Sequence, residues 1–137
     1  MNSLKIDLNV SQSLAPAART ATANGTAIDL AKFGSAAFVV DAGLWTDGTH
    51  TFTADESDTG TGAWTTIAAA DLDGTFPVIA GAADDNAVTV VGLIRSKRYV
   101  RVTSTVAGGP VTGLVSSATV VRSRPKYAGQ VPGGLTV

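Results

Sequence analysis

The chain has no cysteine, one histidine, two tryptophans and two tyrosines among its 137 residues. Without cysteine there are no disulfides and no thiolate metal sites, which suits synthesis in a reducing cytoplasm. No run of about 18 apolar residues exists to cross a membrane as a helix. The opening Met1-Asn2-Ser3-Leu4-Lys5-Ile6-Asp7 places an acid where the apolar core of a secretory signal would continue, so it is not read as one. Aromatic residues make up 6% of the chain although 45% of it is hydrophobic. Much of that apolar content is Ala and Val, small side chains that suit closely stacked sheets better than a large ligand pocket. Charge of one sign is missing by region. Between positions 41 and 85 there are nine acids and no Lys or Arg, and from 86 onward there are seven Lys or Arg and no acid. The formal net charge of −1 hides this division. Such a chain either pairs its own parts or offers opposite signs to neighbouring copies.

The length fits one domain, and a domain of this size removes roughly two-thirds of its unfolded surface from water. Strand signals dominate. From 99 to 106, Val100, Val102, Ser104 and Val106 alternate with Tyr99, Arg101, Thr103 and Thr105, the pattern of a half-buried antiparallel strand. Residues 114–121 are also strand-like. Residues 87–94 are apolar on both faces and read as a central strand or one covered by another subunit. Asp47-Gly48 between the β-rich runs 36–45 and 49–56 predicts a type I′ hairpin. A second hairpin is expected to join 87–94 to 99–106 through Arg95-Ser96-Lys97-Arg98. Weaker strand signals lie at 4–10, 19–23, 64–67 and 76–79, and the one helical candidate is 68–72. Turn-forming clusters punctuate these runs, as expected of an all-β antiparallel sandwich, with a jelly roll as one form of it. The chain divides into an N-terminal strand or arm (1–18), the sandwich (19–122) and a C-terminal arm or flexible tail (123–137).

No catalytic, cofactor-binding or metal-binding residues are assigned. His50 follows a turn with no nucleophile-elbow pattern to join it, and reads as a strand-end residue. Asp55, Glu56 and Asp58 lack the offsets of an EF-hand, and Asp55 and Glu56 point to opposite faces of a strand. Gly60-Thr61-Gly62 lacks the lysine and helix of a phosphate loop and reads as a flexible loop. Trp64 is expected to plug the end of the core. The cluster Arg95, Lys97, Arg98 and Arg101 has only Tyr99 interleaved for stacking, and the sequence pI is near 5.6, so it reads as a self-paired or partner-facing edge, not a nucleic-acid site. Trp45, beside its turn, reads as an exposed interface anchor. The basic run Arg122-Ser123-Arg124-Pro125-Lys126-Tyr127 reads as an arm that orders against a partner. The expected protein-interface residues are therefore Trp45, Arg95, Lys97, Arg98, Arg101, Arg122, Arg124 and Tyr127.

Two resemblances follow. Glu56-Ser57-Asp58-Thr59-Gly60, Trp64-Thr65-Thr66 and Lys97-Arg98-Tyr99-Val100-Arg101-Val102 resemble a pattern in discoidin-type β-sandwich binding modules. Thr59 stands where those have Gly, and the match covers less than half of the chain. Over most of the chain, Ala17-Ala18-Arg19-Thr20-Ala21, Asn24-Gly25-Thr26-Ala27-Ile28-Asp29-Leu30, residues 42–52 and Lys97-Arg98-Tyr99-Val100-Arg101-Val102 resemble a small virion protein of tailed bacteriophages, of the head decoration or cement type. That resemblance implies a non-enzymatic homo-oligomer on the capsid exterior, bound to the major capsid protein, with no nucleic-acid or membrane partner. The alternatives are a tail, neck or baseplate component, or a carbohydrate- or cell-surface-binding module.

Overall fold

The computed structural model describes residues 1 and 3–125. Those residues form the strands β1 (Asn9–Arg19), β2 (Ala23–Asn24), β3 (Ile28–Asp29), β4 (Phe33–Trp45), β5 (Thr49–Ser57), β6 (Thr65–Thr66), β7 (Leu72–Asp73), β8 (Val78–Ile79), β9 (Ala87–Leu93), β10 (Tyr99–Ala107) and β11 (Leu114–Pro125). One sheet runs β1-β11-β4-β9-β7; the other runs β2-β10-β5-β6, with β3 also on β10 and β8 on β5. The pairing is antiparallel throughout and nested. β1 meets β11, β2 and β3 meet β10, β4 meets β9, and β5 meets β6 and β8. The chain is thus a long doubled ribbon rolled on itself, the topology of a jelly roll.

The core lies between the layers. Phe38, Val40 and Ala42 of β4 face Phe52 and Ala54 of β5, and Leu14, Ile28, Ile67, Ile79, Val91, Val100, Val102, Leu114, Ala118 and Val120 complete it. Every second residue of β4 is buried here because side chains alternate across a strand. Phe38 also packs on Phe76 with ring centroids 5.6 Å apart. Ser13 closes one side: its Oγ donates to the Thr26 carbonyl (3.0 Å) and accepts from the Val102 N–H (2.9 Å), tying the edge of one sheet to the other.

Both expected hairpins are instead crossings between layers. β4 and β5 belong to different sheets, as do β9 and β10. At Asp47-Gly48 only the glycine has positive φ (86°), so the type I′ geometry is absent. The Asp47 carboxylate turns outward to accept the N–H groups of Val111 (2.8 Å), Thr112 (3.2 Å) and Gly113. The turn therefore latches the β10–β11 connection. β9 is also not central: β7 covers only its last two residues, Gly92 and Leu93. Of the weaker signals, 4–10 gives a 3-10 turn at Leu4–Ile6 before β1, and 68–72 gives another at Ala69–Asp71. Residues 9–18 lie in β1, an edge strand whose register shifts around Pro16. A proline is tolerated at that place because an edge strand needs no second ladder. Of the 123–137 segment, residues 123–125 finish β11, and 126–137 lie outside the described residues.

Candidate protein-interaction surface

β9 leaves one layer and β10 enters the other, so the connection 94–98 crosses the mouth of the sandwich. It borders an open cleft of about 490 Å³ with Leu30, Phe33 and Ile94 among its apolar lining and Arg95, Lys97 and Arg98 on its rim. Each of these cations meets an acid from a distant part of the chain. Arg95 Nη2 lies 3.0 Å from Asp71 Oδ1, and Lys97 Nζ lies 3.7 Å from Asp58 Oδ2. Arg98 forks onto Asp29, with Nε to Oδ1 at 3.0 Å and Nη2 to Oδ2 at 2.9 Å. The Arg98 hydrogen bond holds the Asp29 carboxyl below its usual range, and in return Asp29 raises Arg98.

Arg101 is more enclosed. Its Nε donates to Asp55 Oδ2 at 3.2 Å, and its guanidinium lies 4.3 Å from the centre of the Trp64 ring. Asp55, itself buried, also accepts from Thr103 Oγ1 (2.7 Å) and Thr66 Oγ1 (3.3 Å). Trp64 is half-buried beneath Arg101 rather than plugging the core. The 57–62 loop is tethered: Ser57 Oγ, fully buried, donates to the Gly62 carbonyl and accepts from the N–H groups of Thr59 and Gly60.

Arg122 points inward from β11. It donates to the Asp29 backbone carbonyl (2.7 Å), to Ser11 Oγ (2.9 Å) and to Asn9 Oδ1, and lies 4.7 Å from the Phe33 ring centre. Burial lowers its pKa, with nearby Asp29 opposing. Arg124 is exposed with a φ of 52°, and Tyr127 lies outside the described residues. Trp45 sits at the opposite end of the sandwich from Arg98. It is half-buried against the core, its indole N–H donates to the Gly48 carbonyl (2.8 Å), and its backbone N–H donates to Asp85 Oδ2 (2.8 Å). The structure thus gathers Arg95, Lys97 and Arg98 at one rim and keeps Trp45 apart from them.

His50 is fully buried, with Nε2 2.9 Å from the Asp47 carbonyl and Nδ1 without a partner among the described residues. Among the described residues no three His, Asp or Glu side chains converge as metal ligands, and no helix is long and apolar enough to cross a membrane.

The interface residues expected from sequence include none on the outer face of the β1-β11-β4-β9 sheet, although 87–94 was read as a central strand or one covered by another subunit. Val10 pairs with Val121, Val121 with Ala37, and Val39 with Val90. Val88 and Val90 are each 62% exposed. The apolar character of both faces at 87–94 was the available signal.

The chain matches no family model and no curated protein. Among solved structures it is similar to PBSX exported protein XepA, with a TM-score of 0.56 over 100% of this chain at 17% identity. The chain spans 44% of that protein's length. The likeness is one of fold.

Proposed function

We propose that the chain is a non-enzymatic structural protein of a tailed bacteriophage, a decoration or cement protein that seats on the major capsid protein and stabilises the head. The outward sheet face carries this reading. Val10, Val88 and Val90 stand on it more than half exposed, and covering such surface stabilises contact by about 25 cal/mol per Å². The sequence resemblance to small virion proteins supports the phage setting. The exported protein XepA shares the fold, which suits work outside a cell. The lone histidine is buried on a backbone carbonyl, which suits an adhesive role better than acid–base chemistry. Rigid copies holding several neighbours at once multiply modest single contacts. The rim of Arg95, Lys97 and Arg98, the turn beside Trp45 and the basic 122–127 segment are further proposed contacts. A sugar-binding role is less well supported, because the Trp64 ring lies under Arg101 and the Trp45 indole is engaged at its own turn.

The test adds purified protein to isolated heads stripped of accessory proteins. Co-sedimentation with the heads and a higher disruption temperature are expected. Capture by purified tails alone would replace the head reading with the tail, neck or baseplate alternative. Binding to neither would overturn both.

A further inference from the structure

The two sides of the sandwich are finished differently. On the β1 side, Ser13 and the hydrogen bonds of Gly25 N–H to the Val102 carbonyl and Thr26 N–H to the Ser13 carbonyl bridge the layers. On the β9 side, β7 pairs only with Gly92 and Leu93. Among the described residues, 87–91 therefore has a ladder on one flank, toward β4, and none on the other, where Gly74 comes close to the Val90 carbonyl and Val91 while 87–89 stays clear of it. An open edge of this kind leaves main-chain donors and acceptors that a further strand satisfies. Val88 and Val90 stand beside it, ready to flank an incoming apolar residue.

The surrounding charge selects the occupant. Asp41 pairs across the sheet with Val88, and Asp73 pairs with Gly92; both side chains are exposed. Asp84, also exposed, lies in the loop that enters β9. None of the three takes part in an ion pair among the described residues, whereas Asp29, Asp55, Asp58 and Asp71 all do. A second copy added antiparallel through the same edge would bring Asp73 of each copy toward Asp84 of the other, and like charges placed together select against that pairing.

We propose that the open edge at 87–91 receives an extended strand from a partner protein, with alternating β-branched residues and Lys or Arg at its flanks. Main-chain hydrogen bonds hold the strand, Val88 and Val90 cover its apolar side chains, and Asp41, Asp73 and Asp84 read its flanking cations. The inference concerns this edge alone and holds whichever particle the partner belongs to.

The probe is the synthetic peptide Lys-Thr-Val-Thr-Val-Thr-Lys, compared with Glu-Thr-Val-Thr-Val-Thr-Glu, titrated into the full chain and followed by amide NMR shifts and hydrogen exchange. The basic peptide is expected to shift and protect the amides of 87–91 at low salt, and the acidic one to bind at least tenfold more weakly. The preference should shrink at high salt, where exposed charges are screened. The double variant Val88→Lys, Val90→Lys should abolish binding while keeping the wild-type circular dichroism spectrum. No response at 87–91 at millimolar peptide would overturn the proposal, as would equal binding of both peptides. Concentration-dependent dimerisation that protects 87–91 without peptide would also overturn it, in favour of a second copy. Because no capsid is used, failure here leaves the head-binding experiment to stand or fall separately.

Discussion

β9 and the connection that follows it carry two opposite arrangements within a dozen residues. The connection 94–98 holds three cations, each already satisfied by a carboxylate of the same chain. The strand before it is largely apolar, exposes Val88 and Val90, and is bordered by acids that form no ion pair among the described residues. A dense cluster of charge is therefore a poor pointer to a binding surface when the fold brings counter-charges to it. A strand edge with no second ladder and three carboxylates without an ion pair among the described residues are the better pointer.

The largest way to break this comparison is to remove the most enclosed counter-charge. Asp55→Ala leaves Arg101 and Thr103 without their shared acceptor, and stripping one partner from a buried pair costs about 3 kcal/mol or more. Urea denaturation should show that loss; a cost under about 1 kcal/mol would place the pair among exposed, weakly contributing ones.

Acid titration comes next. Asp29 and Asp47 both have folded pKa values below the usual range, Asp29 chiefly through Arg98 and Asp47 chiefly through the Val111 N–H. A depressed carboxyl contributes stability that is complete above its unfolded pKa, about 3.9. That stability is lost as pH falls through the lower folded value. Thermal unfolding between pH 6 and 2 should show a falling midpoint, and the variant Asp29→Asn, Asp47→Asn should be less stable at pH 6 with a shallower acid slope.

Smaller still is the exposed rim. Arg98→Ala should lower stability only slightly and Lys97→Ala less still, since solvent-exposed pairs contribute little and salt screens them. A loss as large as that of Asp55→Ala would mean that the fork of Arg98 onto Asp29 organises the rim. The smallest effect on stability belongs to Val88→Lys with Val90→Lys, within about 0.5 kcal/mol of wild type. That near-neutrality is what separates a surface kept for contact from one kept for folding.

The regular strands were legible where one face meets the core and the other meets solvent. Val100 and Val102 are buried while Arg101 lies between them, as alternation at 99–106 requires. The strand at 9–19 was harder to read, because Pro16 and its small neighbours carry no alternation and its edge place is fixed by β11, whose partners lie 95 to 113 residues away. The turns at Asp47-Gly48 and 95–98 were located correctly, but local turn chemistry sets a reversal of direction and not the layer the chain enters next. That choice is made by cross-layer packing, such as Phe38 and Val40 against Phe52. The division of charge was plain from composition. Its resolution into internal pairs was not, because Arg98 finds Asp29 across 69 residues and Arg101 finds Asp55 across 46. Trp45 looked exposed because it precedes a turn, yet that turn supplies the carbonyl its indole needs.

The pairing of β1 with β11 sets Asn9 opposite Arg122 and Arg19 opposite Leu114. A tensile load drawing residues 9 and 122 apart would peel that ladder rung by rung, each hydrogen bond bearing the strain alone. A load entering through β4, flanked by β11 and β9 over most of its length, would spread across two ladders at once. A protein of this build is mechanically strong when gripped by its sheet face and weak when tugged by its outer strand and the strand beside it.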